Sequence, residues 1–356
     1  MVEILNKTLN IPIIQGGMGV GVSLGNLAGN VAACGGMGVI STVNAGYREK
    51  DFMKNPFEAN IRALKDEIKR AFNIAKGKGM VAINAMVAVS HYEETIKAAI
   101  ESGIDAVISG AGLPLTLPNL TKGTATAAAP IVSSAKAAAL ICKRWDTKCN
   151  VVPDFMIIEG SKAGGHLGFK KEEIIDGTAP ALEQILPEVL TAIEPYEQKY
   201  GRKIPVFVAG GVFDGKDMAK FTKLGASGVQ IATRFIATEE CDASLEYKNM
   251  VVEAKEEDIT IVKSPVGMPG RALLTPLIKR LNAGEKFTPD RCNQCLTACP
   301  HGNLTPYCIS RALIEAVKGN KEDGLFFCGA NAPRIDKIVS VEELMKEIEI
   351  EWRENS

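Results

Sequence analysis

Of the three histidines in the chain, one stands in the glycine-flanked stretch Glu159-Gly160-Ser161-Lys162-Ala163-Gly164-Gly165-His166-Leu167-Gly168. Imidazole is the side chain whose ordinary pKa lets it take or give a proton near neutral pH. In a loop after a strand, His166 is therefore a candidate general base or acid. The plainer alternative is a loop histidine held by hydrogen bonds. Two other stretches could hold an anion: Ala209-Gly210-Gly211-Val212 and Gln230-Ile231-Ala232-Thr233-Arg234-Phe235. Glycine lets the backbone come close, N–H groups at a helix start point at the anion, and Thr233 and Arg234 add donors. The alternative is a pair of structural turns.

A third constellation is Cys292-x2-Cys295-x3-Cys299-Pro300, followed by Cys308 and later by Cys328. Thiolates at this spacing could bind an iron–sulfur cluster or zinc. One cysteine of the bacterial run C-x2-C-x2-C-x3-C-P is missing, and the two close pairs usual for zinc are not cleanly present. Free or packing thiols are the alternative. His301 belongs to this cysteine region, and His91 opens a surface helix.

These residues must be carried by regular elements. Eight short runs are apolar throughout, as strands covered on both faces should be. They are 11–15, 38–42, 80–86, 106–110, 130–134, 155–160, 205–210 and 228–235. Helical periods lie between them, including 58–75, 91–101 and 218–224, with Ser23 as the N-cap of a first helix. CGGMGVI, SGIDAVI and LGASGVQI each place a helix-ending glycine before a strand. The pattern predicts an α/β fold, a (β/α)8 TIM barrel over residues 1–280. An open dinucleotide-binding sheet is disfavoured, because Gly16, Gly19 and Gly21 do not fit G-x-G-x-x-G. Residues 170–201 read as an inserted helical lid, and 281–356 as a cysteine-rich C-terminal extension packing on the barrel. Within that extension, 307–318 reads as a helix, 325–331 as a cover for the site, and 342–353 as a solvated face or a homodimer contact.

Composition narrows the function. The 356 residues are 46% hydrophobic and 23% charged, with a net charge of −1. That balance gives no electrostatic footprint for nucleic acid or an anionic membrane. The uncharged stretch Thr8–Tyr47 is broken by glycines, Pro12 and asparagines, so it is expected to be core and not a membrane span. The N-terminus lacks the pattern of a signal peptide. Nine cysteines, an odd number, fit reduced thiols in a cytoplasmic protein.

IPIIQGGMG, INAM, EGSKAGGHLG, VAGG and LGASGVQIATRF, with SPVGMPGRA at 264–272, resemble the nitronate monooxygenase (2-nitropropane dioxygenase) family. They are also similar to the flavin-dependent enoyl-acyl-carrier-protein reductases. The resemblance implies an FMN-containing barrel. Gly17 and Met18 match the segment that meets the flavin ring, and Asn84 matches a polar contact from the third strand. Glu159, Gly164 and Gly165 fall in a cofactor-contacting stretch, although glutamine is common where Glu159 stands. Gly210, Gly211 and the run Gln230, Ile231, Ala232, Thr233 match the phosphate loops, and His166 matches the catalytic base or proton donor. The implied activity is oxidation of alkyl nitronates with oxygen. The alternatives are NAD(P)H-dependent reduction of an enoyl thioester, or a flavin electron carrier or redox sensor. A reductase would meet an acyl carrier protein, for which Lys162, Lys170 and Lys171 are the candidate basic patch.

Overall fold

The computed structural model describes residues 1–289, 291–299 and 305–356; Pro300 and His301 lie outside the described residues. A short antiparallel hairpin, β1 (Val2–Ile4) and β2 (Lys7–Leu9), leads into β3 (Ile13–Gln15), β4 (Met37–Ser41), β5 (Met80–Met86) and β6 (Ala106–Gly110). Then come β7 (Ala127–Val132), β8 (Met156–Glu159), the two-residue β9 (Gly165–His166), β10 (Val206–Ala209) and β11 (Gly228–Ile231), followed by β12 (Ile259–Lys263) and β13 (Pro269–Leu273). Eight of these close into a parallel barrel in the order β10-β11-β3-β4-β5-β6-β7-β8. Each of the eight apolar runs overlaps one barrel strand, although β4 begins one residue before its run and β7 three residues before its own.

The runs are apolar throughout because alternate residues face two cores. Ile14, Met37, Val39, Met80, Ile108, Phe155 and Phe207 fill the barrel. Their neighbours Ile13, Ile40, Val81, Val107, Ile158, Val208 and Val229 face the helices. Inside, alanines of β5, β6 and β7 leave room for the edge-on pair Phe155–Phe207, whose ring centroids lie 5.9 Å apart. Ile4 and Leu9 of the hairpin join this interior cluster and plug the end formed by the strand N-termini.

Three expectations are corrected. Residues 170–201 are not a lid as a whole. The helix Leu182–Tyr200 buries Leu182, Ile185, Leu186, Val189 and Ile193 and packs on the helix Ala135–Cys149 and on β8 and β10. It is the crossover that a parallel β8–β10 pair requires; only the short helix Lys171–Ile175 buries nothing. Second, the chain's last helix, Val341–Asn355, is neither a free face nor an appendage. It lies against the helices Gly215–Lys223 and Gly25–Ala33 and buries Val341, Leu344, Met345 and Ile348 in the barrel's outer core. It fills the eighth helix position, so a boundary near residue 280 would divide one core. Third, Ser23 does not cap the first helix. The Asp242 carboxylate accepts from Leu24 and Leu27 N–H (2.8 and 3.1 Å), while Ser23 Oγ receives the Met18 amide at 2.7 Å.

Between β11 and the last helix the chain runs over the mouth of the barrel. There β12, β13 and β9 form a three-stranded antiparallel sheet. Among the described residues, no helix is long and apolar enough to cross a membrane.

Candidate active site

A cavity of about 440 Å³ opens at the C-terminal ends of the barrel strands. Each predicted cofactor residue lines it: Gly17 and Met18 after β3, Asn84 in β5, Glu159 at the end of β8, and Gly164 and Gly165 beyond it. The wall is completed by Gly210 and Gly211 after β10, and by Gln230, Ile231, Ala232 and Thr233 at the end of β11. Gly210 and Gly211 have φ of 83° and 121°, where only glycine sits without strain. Thr233 Oγ1 accepts a hydrogen bond from the Gly329 amide at 2.9 Å, which draws the returning chain over the cavity. Arg234, expected as an anion donor, also lines the cavity but is tied back by an ion pair. Both of its terminal nitrogens reach Glu347 of the last helix at 3.1 Å, and its guanidinium stacks on Phe213.

His166 lies in the same wall and is held by a β-ladder: it pairs with Gly270, and Gly165 pairs with Arg271. The Arg271 guanidinium donates to the carbonyls of Ser161 and Ala163, both at 2.6 Å, and so fixes the loop that carries the histidine. Phe327 stands edge-on to the imidazole with centroids 5.3 Å apart. His166 Nε2 is 2.7 Å from Ser264 Oγ. That oxygen also receives the Val266 amide at 3.2 Å and lies near the Tyr307 hydroxyl, whose own proton goes to the Lys263 carbonyl. The contact allows a donor at either end; in one arrangement Nε2–H donates to Ser264 and the Ser264 proton turns toward Tyr307. That arrangement leaves Nδ1 as the basic nitrogen.

Burial sets the charge states. It pushes the His166 pKa down to about 4, because a buried imidazolium loses its hydration. It pushes the Glu159 carboxyl up to about 8 for the same reason. Near neutral pH the site thus presents a neutral imidazole and a protonated carboxyl.

Sequence reasoning did not single out Ser264, Arg271 or Tyr307. The first two stand in the SPVGMPGRA segment, and the signal was there without a role attached to it. The return of Leu325–Asn331 over the site was anticipated, and Phe327, Cys328, Gly329 and Asn331 do line the cavity. Of the three candidate basic residues, Lys162 lines the cavity, Lys170 stands 3.7 Å from Glu173, and Lys171 opens a helix whose first turn holds Glu172 and Glu173. Cys292, Cys295, Cys299 and Cys308 line a separate small cavity. Among the described residues, no three His, Cys, Asp or Glu side chains converge as a single metal ion requires, so the zinc expectation finds no such centre. Cys328 stands apart from the four, in the wall of the large cavity.

The family described as Nitronate monooxygenase matches residues 3–351. A probable nitronate monooxygenase of Staphylococcus saprophyticus is 28% identical over 314 residues, covering 78% of this chain and 80% of its own. A (3aS,4S,5R,7aS)-5-hydroxy-7a-methyl-1-oxo-octahydro-1H-indene-4-carboxyl-CoA dehydrogenase of Rhodococcus jostii is 27% identical over 278 residues, 76% of this chain and 64% of that one. Among solved structures, FabK from Thermotoga maritima superposes with a TM-score of 0.72 at 26% identity, over 97% of this chain and 94% of its own. The nitroalkane oxidase of Streptomyces ansochromogenes shares the fold, with a TM-score of 0.73 at 19% identity over 98% and 97%. With a match along nearly its whole length and the matching fold, the chain belongs to the nitronate monooxygenase family and is a flavin-dependent oxidoreductase.

Proposed function

We propose that the chain binds FMN in the 440 Å³ cavity and oxidises alkyl nitronates or their parent nitroalkanes, with His166 as the base. The observation that carries this reading is a neutral, buried imidazole whose Nε2 is fixed by Ser264 and whose ring lines the cavity. The cavity suits the cofactor. Its volume lies in the range of ligand sites, and three glycine turns bring backbone to its surface. Gly17 and Met18 would hold the flavin ring, with the Met18 amide anchored on Ser23 Oγ. Asn84 and the protonated Glu159 offer neutral hydrogen-bonding groups. Gly210, Gly211 and Gln230–Thr233 would hold the phosphate, and Gly164 and Gly165 would bring the loop backbone alongside. FMN, when bound, supplies the electron acceptor and, once reduced, the reductant for oxygen.

The chain's own work is to bind, orient and deprotonate. His166 Nδ1 takes the proton next to the nitro group, which becomes acidic because the nitro oxygens take up the charge. The imidazolium so formed strengthens its Nε2–H bond to Ser264. A nitronate enters without that step, and His166 then acts as a neutral wall residue.

A second reading, reduction of an enoyl thioester with NAD(P)H, draws on the likeness to FabK and to a CoA-thioester dehydrogenase. Anaerobic mixing separates the two. Flavin absorbance that bleaches with ethyl nitronate and ignores NADH supports the first. Bleaching with NADH alone supports the second, and a protein that takes up no FMN refutes both.

A further inference from the structure

We propose that Cys292, Cys295, Cys299 and Cys308 hold a [4Fe–4S] cluster in the cavity they share, beside the flavin site. The four fall within 17 sequence positions and line one small cavity together with Pro289, Leu296 and Ile309. No three of them meet at one point, which a single tetrahedral ion requires. A cluster carries its irons at separate corners, so it takes one thiolate at each, and four thiols spread around a shared space match that need. Two of the sulfurs already accept backbone amides: Gln294 N–H donates to Cys292 Sγ at 3.3 Å, and Arg311 N–H donates to Cys308 Sγ at 3.5 Å. Amide bonds to sulfur are how proteins tune such clusters. Cys308 also caps the helix Ile309–Val317, which fixes where its sulfur stands.

The cysteine loop is held in place, as a ligand loop must be. The Ser90 amide donates to the Cys295 carbonyl and the Thr297 amide to the Ala88 carbonyl, both at 3.1 Å, which pins the loop to the turn after β5. Asn293 Nδ2 donates to Ser310 Oγ at 2.8 Å. The helix that Cys308 opens also carries Leu313 into the wall of the large cavity. Five residues of helix separate the two positions, an axial rise of about 7.5 Å. The inference goes beyond the flavin reading, and iron binding does not depend on it.

The test uses the full-length protein, purified without oxygen and reconstituted with ferrous iron and sulfide, with flavin measured on the same sample. About four irons and four acid-labile sulfides per chain are expected, with an electron paramagnetic resonance signal from the dithionite-reduced protein. Cys299→Ser and Cys308→Ser should lose most of the iron while keeping flavin and far-ultraviolet circular dichroism. If a variant loses its fold, the wild-type iron and sulfide content decides alone. Zinc in place of iron, no iron after reconstitution, or full iron in both folded variants would overturn the proposal. Iron bound without flavin would refute the flavin reading and leave the cluster standing.

Discussion

The hydroxyl of Ser264 is the sharpest handle on the proposed base. Ser264→Ala removes the acceptor 2.7 Å from His166 Nε2 and leaves a buried N–H without a partner. An orphaned buried donor costs about 1–3 kcal/mol. The bond tightens when the ring takes up a proton, so most of that cost falls on the transition state. At about 1.4 kcal/mol per tenfold, kcat for a neutral nitroalkane should drop by about 5- to 150-fold, with KM little changed. Stopped-flow bleaching of the flavin, run anaerobically with nitroethane and with ethyl nitronate, reads the effect directly. The α proton has already left the nitronate, so the variant should match the wild type there. Ser264→Thr keeps the hydroxyl and should restore most of the rate with nitroethane. Equal losses on both substrates, or no loss on either, would refute the assignment of the base and of its positioning residue.

His166→Ala should keep its flavin and lose about 10²- to 10⁴-fold in turnover of a neutral nitroalkane; undiminished turnover would point to an electron carrier instead. In the wild type, kcat/KM should hold its plateau well below pH 6.5 and fall only toward about 4, because the neutral ring is the base and burial resists its protonation. An acid limb near 6.5 would contradict that. Glu159 is raised from its ordinary 4.5 to about 8, so its contribution to stability is full below 4.5 and is lost as pH rises through 8. Glu159→Gln in the flavin-free chain should therefore melt higher than wild type above about pH 8 and alike near 4.5, as differential scanning fluorimetry would read. Arg271→Ala strands two loop carbonyls and should cost about 3 kcal/mol in urea unfolding. A change under about 1 kcal/mol would mean that the His166 loop is held by other contacts.

The barrel was legible because parallel strands covered on both faces carry apolar residues at every position, and eight such runs stand in order. The cavity residues were legible because strand ends of this fold converge on one mouth. What was hidden depends on pairings that spacing does not carry. An amphipathic stripe such as Val341, Leu344, Met345 and Ile348 looks the same whether it meets a second copy or its own barrel. The helix Leu182–Tyr200 reads equally well as a lid or a wall, and only its seat between two strands decides. Ser264 stands 98 positions from His166 and reaches it through the ladder of β13 with β9. Ser23 looks like an N-cap by type, but Asp242, more than 200 positions away, supplies the carboxylate that does the capping.

The interruption between β11 and the final helix explains how a common barrel becomes this site. A barrel needs only a helix to follow its eighth strand, and Val341–Asn355 fills that role after a long excursion. The excursion supplies what the barrel strands do not: β13 gives His166 a ladder partner, Ser264 meets its Nε2, and Arg271 ties down its loop. It also brings Phe327, Cys328 and Gly329 over the cavity and anchors them on Thr233. The strand ends that match the flavin motifs belong to the barrel, whereas the groups around the proposed base and over its substrate belong to the excursion. The excursion is accordingly expected to set the choice between a nitronate and an enoyl thioester, through the room under Phe327 and its hold on His166. A Phe327→Ala enzyme tests this: it should change the relative rates with small and bulky nitronates while leaving flavin affinity intact. Unchanged substrate preference would return specificity to the barrel itself.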